Sequence, residues 1–441
     1  MHIRKFISTV VLSVLASMAV AQNGLNIPFS QYGLGYGNAP YNMPFAASMG
    51  GVVLTRSASN SVNPFNPASY AAIGTQSFVF DMGVSIETTR QTDPNTSLFD
   101  ADGNIGYIAF AMPITKWWKT GFGLLPYTDV NYQSINTVSD PLLGDQETVY
   151  EGTGGVSRFF WGHAFNLGKR LSVGFNMNYL YGAIHRGITY EFGGYDSAYY
   201  MNSRREKNTR VSNLILDFGL QYAQPLGEHN TLNIGLTATT PRTMSVSDNA
   251  IVYTFVEHAG SLYGRDTIFP LSGESGDYTS TIEQPLEVGL GLSWDHNKKW
   301  LVALDANYSP WSGIKYTENT THQIFGNTAV TYGDNYRLAL GGQWLGDPAA
   351  AKYLNRIKFS AGFHYEQGKL RLQLSDGNEW SLDDMGFGLG ASLPMRKGRS
   401  VLNLSVAFDS YGTPDLLRRN AVTFGVSVGS CESWFVKRKY N

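Results

Sequence analysis

The stretch Leu402-Asn403-Leu404-Ser405-Val406-Ala407-Phe408-Asp409 decides the fold. Side chains on an extended strand alternate between two faces. Leu402, Leu404, Val406 and Phe408 therefore make one apolar face, and Asn403, Ser405, Ala407 and Asp409 make a small, polar one. The segment from Val422 repeats the pattern, with Val422, Phe424, Val426 and Val428 opposing Thr423, Gly425, Ser427 and Gly429. Upstream, Ile357, Phe359, Ala361 and Phe363 oppose Lys358, Ser360, Gly362 and His364. Leu171, Val173, Phe175 and Met177 oppose Ser172, Gly174, Asn176 and Asn178. In a water-soluble sandwich the apolar faces would pack on each other, and the strands would usually be shorter than these. Long two-faced strands along almost the whole chain point instead to a closed barrel. Its apolar face meets lipid and its polar face lines a lumen.

The N-terminus supports export. Arg4 and Lys5 precede an apolar run from Phe6 to Val20 and the cleavage pattern Ala19-Val20-Ala21. This reads as a signal peptide over residues 1–21, with the mature chain starting at Gln22. The run is shorter than the ~20 residues a spanning helix needs. Charged residues make up 15% of the chain, well under the usual ~25%, which suits a protein with much of its surface in lipid. The net charge of -2 gives no basis for nucleic-acid binding. Cys431 is the only cysteine, so neither an internal disulfide nor a cysteine metal cluster can form. The histidines show no metal spacing, Gly33, Gly35 and Gly37 do not complete a dinucleotide fingerprint, and no nucleophile motif organises a catalytic site. The expectation is a chain with no metal, no cofactor and no enzymatic activity.

Residues 22–75 differ in composition from the rest of the mature chain. They are rich in Gly, Asn, Pro, Ser and Ala and read as a compact hatch, or plug, placed before the first strand. From residue 76 to 435 the alternation predicts about fourteen antiparallel strands, an even number as in bacterial single-chain barrels. Short connections such as 113–117, 166–169 and 295–298 alternate with longer ones such as 91–103, 191–206 and 255–276. This is the pattern of periplasmic turns and external loops. Trp434-Phe435 leads into a basic tail over 436–441. The expected fold is an all-β transmembrane antiparallel barrel in the outer membrane, carrying an N-terminal hatch.

Four stretches carry a resemblance to a known family. They are Met49-Gly50-Gly51 through Asn66-Pro67-Ala68, Gly121-Phe122-Gly123-Leu124-Leu125-Pro126-Tyr127, Gln284-Pro285-Leu286-Glu287-Val288 with Tyr308-Ser309-Pro310-Trp311, and Asp334-Asn335-Tyr336-Arg337-Leu338. Together they resemble the FadL-type outer-membrane proteins, which import long-chain fatty acids and other hydrophobic compounds. The ending Trp434 to Tyr440 resembles the form found in Bacteroidota. The resemblance implies a fourteen-stranded barrel, a hatch in its lumen and lateral release of substrate at a kinked third strand. It also implies outer-membrane lipid and a hydrophobic small-molecule ligand as partners. FadL-like barrels have been recruited into larger assemblies in Bacteroidota. A structural subunit of a barrel-assembly or protein-secretion complex, with other outer-membrane proteins as partners, is therefore the alternative.

The candidate site residues fall into three groups. Asn63, Pro64, Asn66, Pro67 and Ala68 form two Asn-Pro steps, each restricting the residue before proline to extended conformations. They are read either as a movable gate or as a static turn. Pro126, with Gly121 and Gly123, is the candidate lateral opening, because proline cannot donate to a strand ladder. The other reading places Pro126 at a strand end. Asp217, Asp305, Arg337, Lys358 and His364 lie on lumen-facing positions. Arg337 and Lys358 could hold a carboxylate head group; a salt-bridge network between wall and hatch is the other reading.

Overall fold

The computed structural model describes residues 26–37, 40–94, 96–141, 144–192, 201–258, 261–270, 277–314, 316–317, 330–373, 379–395, 399–413 and 416–433. The expected signal peptide, Trp434-Phe435 and the tail over 436–441 lie outside them. The wall is built of β1 (Ser77–Thr92), β2 (Ser97–Pro113), β3 (Trp118–Asp140), β4 (Gly144–Leu167), β5 (Leu171–Phe192) and β6 (Asn202–Leu226). Next along the chain is β7, in two pieces (Asn230–Thr239 and Arg242–His258), and then β8, also in two (Asp277–Gln284 and Glu287–His296). β9 (Trp300–Ser309), β10 (Asn335–Trp344), β11 (Lys358–Gln367), β12 (Asp384–Met395), β13 (Ser400–Thr413) and β14 (Leu417–Ser433) complete it. Each strand pairs antiparallel with its chain neighbour, and β1 pairs with β14 from Ser77 opposite Ser433 to Thr92 opposite Arg418. The sheet thus closes as a fourteen-stranded antiparallel barrel, and closure removes the two edges an open sheet would carry.

Three prolines break the ladder at one level. β7 is interrupted at Thr240-Pro241, β8 at Pro285-Leu286, and β9 ends before Pro310. Proline lacks the donor that a central strand needs. The alternation alone predicts unbroken strands through these positions. Above the breaks, Val330–Tyr332, Leu370–Gln373 and Glu379–Ser381 form a separate three-stranded sheet at the upper ends of β10, β11 and β12.

The outer face is apolar. Leu340, Phe363, Phe387 and Phe424 are each about half exposed. Aromatic residues gather near the periplasmic turns: Trp117 lies 5.9 Å from Phe165, and Trp344 stacks on Phe359 at 5.9 Å. Tyr308 and Tyr336, 4.9 Å apart, mark the opposite level. From Trp300 to Tyr308 the strand advances roughly 26 Å at ~3.3 Å per residue. This is comparable to the ~25 Å apolar band of membrane barrels.

The inner face is filled in its periplasmic half by the hatch. This region contains one turn of α-helix, α1 (Pro44–Ala47), and 3-10 turns at Pro28–Gln31 and Pro67–Ala72. Hatch backbone lies directly on the wall. A Cβ on Gly388 would overlap the Ala47 carbonyl, one on Gly362 would overlap Met49, and one on Gly235 would overlap the Leu54 carbonyl. Many small residues of the polar face are thus the contact surface for the hatch, not the lining of an open pore. Overpacking of this kind costs ~1–3 kcal/mol or more where backbone cannot move. Gly362→Val is expected to expel or misplace the hatch, and the heat-modifiable mobility of the folded barrel on cold SDS gels should be lost or broadened. Wild-type mobility would show that the socket is loose.

Candidate lumen site and wall seam

The hatch is held by polar groups that the alternation places on the inner face. Asp305, fully buried, accepts from the backbone N–H groups of Val53 (2.6 Å) and Leu54 (2.8 Å). Arg337 donates through Nη2 to Gly51 O (2.6 Å) and through Nε to Tyr41 Oη (2.9 Å). Its guanidinium also sits 5.1 Å from the Tyr41 ring centroid. Asp217 accepts from Asn178 Nδ2 (2.7 Å) and Thr239 Oγ1 (2.9 Å) on neighbouring strands. The His364 ring packs 4.4 Å from the Tyr41 ring, with Nε2 3.6 Å from Asp409 Oδ1 and 3.9 Å from Asp384 Oδ2. Lys358 is exposed at the periplasmic start of β11, far along the strand from the buried His364. Arg337 and Lys358 therefore do not converge on one head-group site. Arg337 is committed to the hatch.

The two Asn-Pro steps are embedded in the same contact. Asn63 Nδ2 donates to Val53 O (2.7 Å) and its Oδ1 accepts from Phe65 N–H (3.2 Å). Asn66 Nδ2 donates to Leu54 O (2.7 Å), and its Oδ1 accepts from Ala68 N–H (3.1 Å), capping the turn that Pro67 begins. Asn176 of β5 donates to Pro64 O (2.7 Å) and accepts from Tyr70 Oη (3.0 Å). The hatch motif is thus tied both to itself and to the wall.

Above the hatch the inner face changes character. Leu180, Ile184, Val211, Ile215, Met244 and Ile282 point inward and form an apolar cluster with Val130 and Val156. Period-2 alternation does not single out these residues, although Tyr179-Leu180-Tyr181 and Leu214-Ile215-Leu216 are apolar on both faces. A two-sided apolar run is the signal that could have found them, because one side faces lipid and the other a dry interior. Here lies a chamber of about 310 Å³. Its floor includes Val53, Leu54 and Phe65 of the hatch, its wall Leu180, Ile215 and Met244, and its roof Tyr332 and Leu370 beside residues 29–37. The rest of the lining is polar, with Arg158, Asp217, Glu287, Arg337, Glu366, Lys369 and Asp384 around it.

The third strand is irregular where Pro126 lies. Pro126 is opposite Ser157 and Thr128 opposite Val156, so Tyr127 is an extra residue in β3 and the strand bulges there. On its other side β3 pairs with β2 only from Lys119 opposite Pro113 to Leu124 opposite Ile108. Gly121 and Gly123 lie within this short ladder, and a Cβ on Gly123 would overlap the Ile108 carbonyl. Above it β2 pairs with β1 alone and β3 with β4 alone, so the wall carries a seam between β2 and β3.

The contact made by Asp305 is open to a direct test. A hydrogen bond to a charged group contributes ~1.5–3 kcal/mol, and losing it leaves two buried donors unmet. Asp305→Ala is expected to weaken hatch docking by about 3 kcal/mol or more. Amide exchange at Val53 and Leu54 should then rise at least tenfold while the wall stays protected. Unchanged exchange at both amides would show that Asp305 does not hold the hatch.

Three solved structures share this architecture. The CymD monoaromatic hydrocarbon channel aligns with a TM-score of 0.55 at 14% identity, over 90% of this chain and 98% of that one. The Ralstonia pickettii toluene transporter TbuX aligns at 0.52 and 15%, over 89% and 98%. The P. putida toluene transporter TodX aligns at 0.53 and 14%, over 88% and 99%. At these identities they establish the fold alone, a barrel of the kind these outer-membrane channels share. No curated protein sequence matches the chain. The family model BamG matches residues 2–441, and the chain belongs to the BamG family.

Proposed function

We propose that this protein is an outer-membrane channel that takes up small hydrophobic molecules passively, of about the size of a single aromatic ring. The observation that carries this reading is the chamber of about 310 Å³ walled by Leu180, Ile215 and Met244. Small-molecule pockets run from ~300 Å³ upward and are mostly apolar with a few polar groups. The chamber is large enough for a monoaromatic compound. Transfer out of water into such a site is favourable, so no energy-coupling motif is required. The names of the three similar channels are consistent with ligands of this class.

A second reading is favoured by the outer surface. A shallow apolar groove of about 790 Å³ crosses β5 to β10, between residues such as Phe218, Leu236, Leu290 and Leu338. It spans the wall on the turn side of the proline breaks. Such a groove suits a protein partner in the membrane, as a subunit of a barrel-assembly or secretion complex would need. The family's name also sets the chain apart from the hydrocarbon channels.

Native mass spectrometry on protein extracted gently from its own membrane separates the two. A removable hydrophobic ligand on a lone barrel is expected. Met244→Asn should then raise the Kd for toluene at least tenfold, ~1.4 kcal/mol, without changing the fold. An empty chamber with a stoichiometric protein partner would overturn the channel reading in favour of the subunit.

A further inference from the structure

On the β4–β5 side of the chamber, Nε and Nη2 of Arg158 and Oδ1 of Asn178 are buried and have no hydrogen-bond partner among the described residues. Asn178 is 2% exposed, and its orientation is fixed from behind, where Nδ2 donates to Asp217 Oδ2 at 2.7 Å. The amide oxygen is thereby left as a free acceptor. Asp217 is occupied in turn by Thr239 Oγ1 at 2.9 Å. The Arg158 guanidinium lies over the Phe65 ring of the hatch, 5.5 Å from its centroid. Strand register sets these groups against the apolar wall. Arg158 is opposite Leu180, and Asn178 is opposite Ile215. Leu180 and Ile215 face the chamber, so a ring packed on them lies beside both polar side chains. Buried polar groups are nearly always hydrogen-bonded, and one left unmet costs more than a made bond returns. The unmet set here is two donors and one acceptor.

We infer that Arg158 and Asn178 form a subsite for a small aromatic compound that carries a neutral hydroxyl, a phenol. The hydroxyl donates its proton to Asn178 Oδ1 and accepts from Arg158, while the ring packs on Leu180 and Ile215. This names the substrate class of the chamber and rests on the channel reading above. A hydroxyl suits the pair because it is donor and acceptor at one atom. A plain hydrocarbon would leave Arg158 and Asn178 unmet. A carboxylate would accept from Arg158 but has no proton for Asn178. It would also share the chamber with the carboxylates of Asp217 and Glu287. A phenol, with an ordinary pKa of ~10, keeps its proton at neutral pH and brings no charge into the interior.

The test is equilibrium dialysis of the full-length barrel in amphipol, at neutral pH, against radiolabelled toluene, p-cresol and p-toluate. These ligands differ only in the group para to a shared methyl, and uptake by an unrelated barrel in the same amphipol is subtracted. p-Cresol is expected to bind tighter than toluene although it is the less hydrophobic of the two, and p-toluate is expected to bind weakest. Arg158→Met, which keeps an apolar stem over Phe65, should lower the affinity for p-cresol about tenfold more than that for toluene. The wild-type series decides the matter even where that variant does not fold. Toluene binding as tightly as p-cresol would leave Arg158 and Asn178 to water and overturn the subsite, with the channel reading intact. p-Toluate binding tightest would make this an anion site and overturn the phenol. Binding of none of the three would overturn the channel reading together with the subsite.

Discussion

Lipid offers no hydrogen bonds, so every backbone amide in a membrane wall must find its partner within the protein. The rest of this structure depends on that constraint. It accounts for the closure of β1 on β14, which leaves no edge at the chain's two ends. It also makes the seam between β2 and β3 informative. There the wall leaves one edge of β3 without a strand, and residues 26–36 meet the backbone of Asp129, Asn131 and Gln133 along it.

The interior obeys a related rule for charge. A buried ion is tolerated where it is paired or hydrogen-bonded. Asp305 faces two hatch N–H groups, Arg337 reaches Gly51 and Tyr41, and Asp217 is held by Asn178 and Thr239. These groups join hatch to wall and wall to wall. The space left over is a chamber between hatch residues below and above, apolar along Leu180, Ile215 and Met244 and charged along Arg337, Glu366 and Lys369.

Much of this was legible in the residues. Two-faced strands with a small polar face, the count of strands and the membrane setting follow from period-2 alternation, since one side of a strand in lipid must be apolar along its length. Pro126 was legible as an irregularity in β3, because proline cannot serve a central ladder. The proline breaks at Pro241, Pro285 and Pro310 were less so. A proline can be accommodated at a bend without ending the strand's direction, and alternation resumes beyond it.

The sequence by itself determined which residues face out and which face in, because side-chain direction along a strand is a local property. Only the tertiary structure decided what the inner face meets. The glycines at 235, 362 and 388 could have lined an open pore; they instead receive the hatch backbone. Arg337 and Lys358 share an inward position on neighbouring strands but end far apart in role, one buried on Gly51 and the other exposed at the periplasmic rim. The pairing of Asn26–Tyr36 with β3 joins segments about a hundred residues apart. Such contacts depend on strand register and on how the chain threads through the closed wall, and no local pattern encodes them.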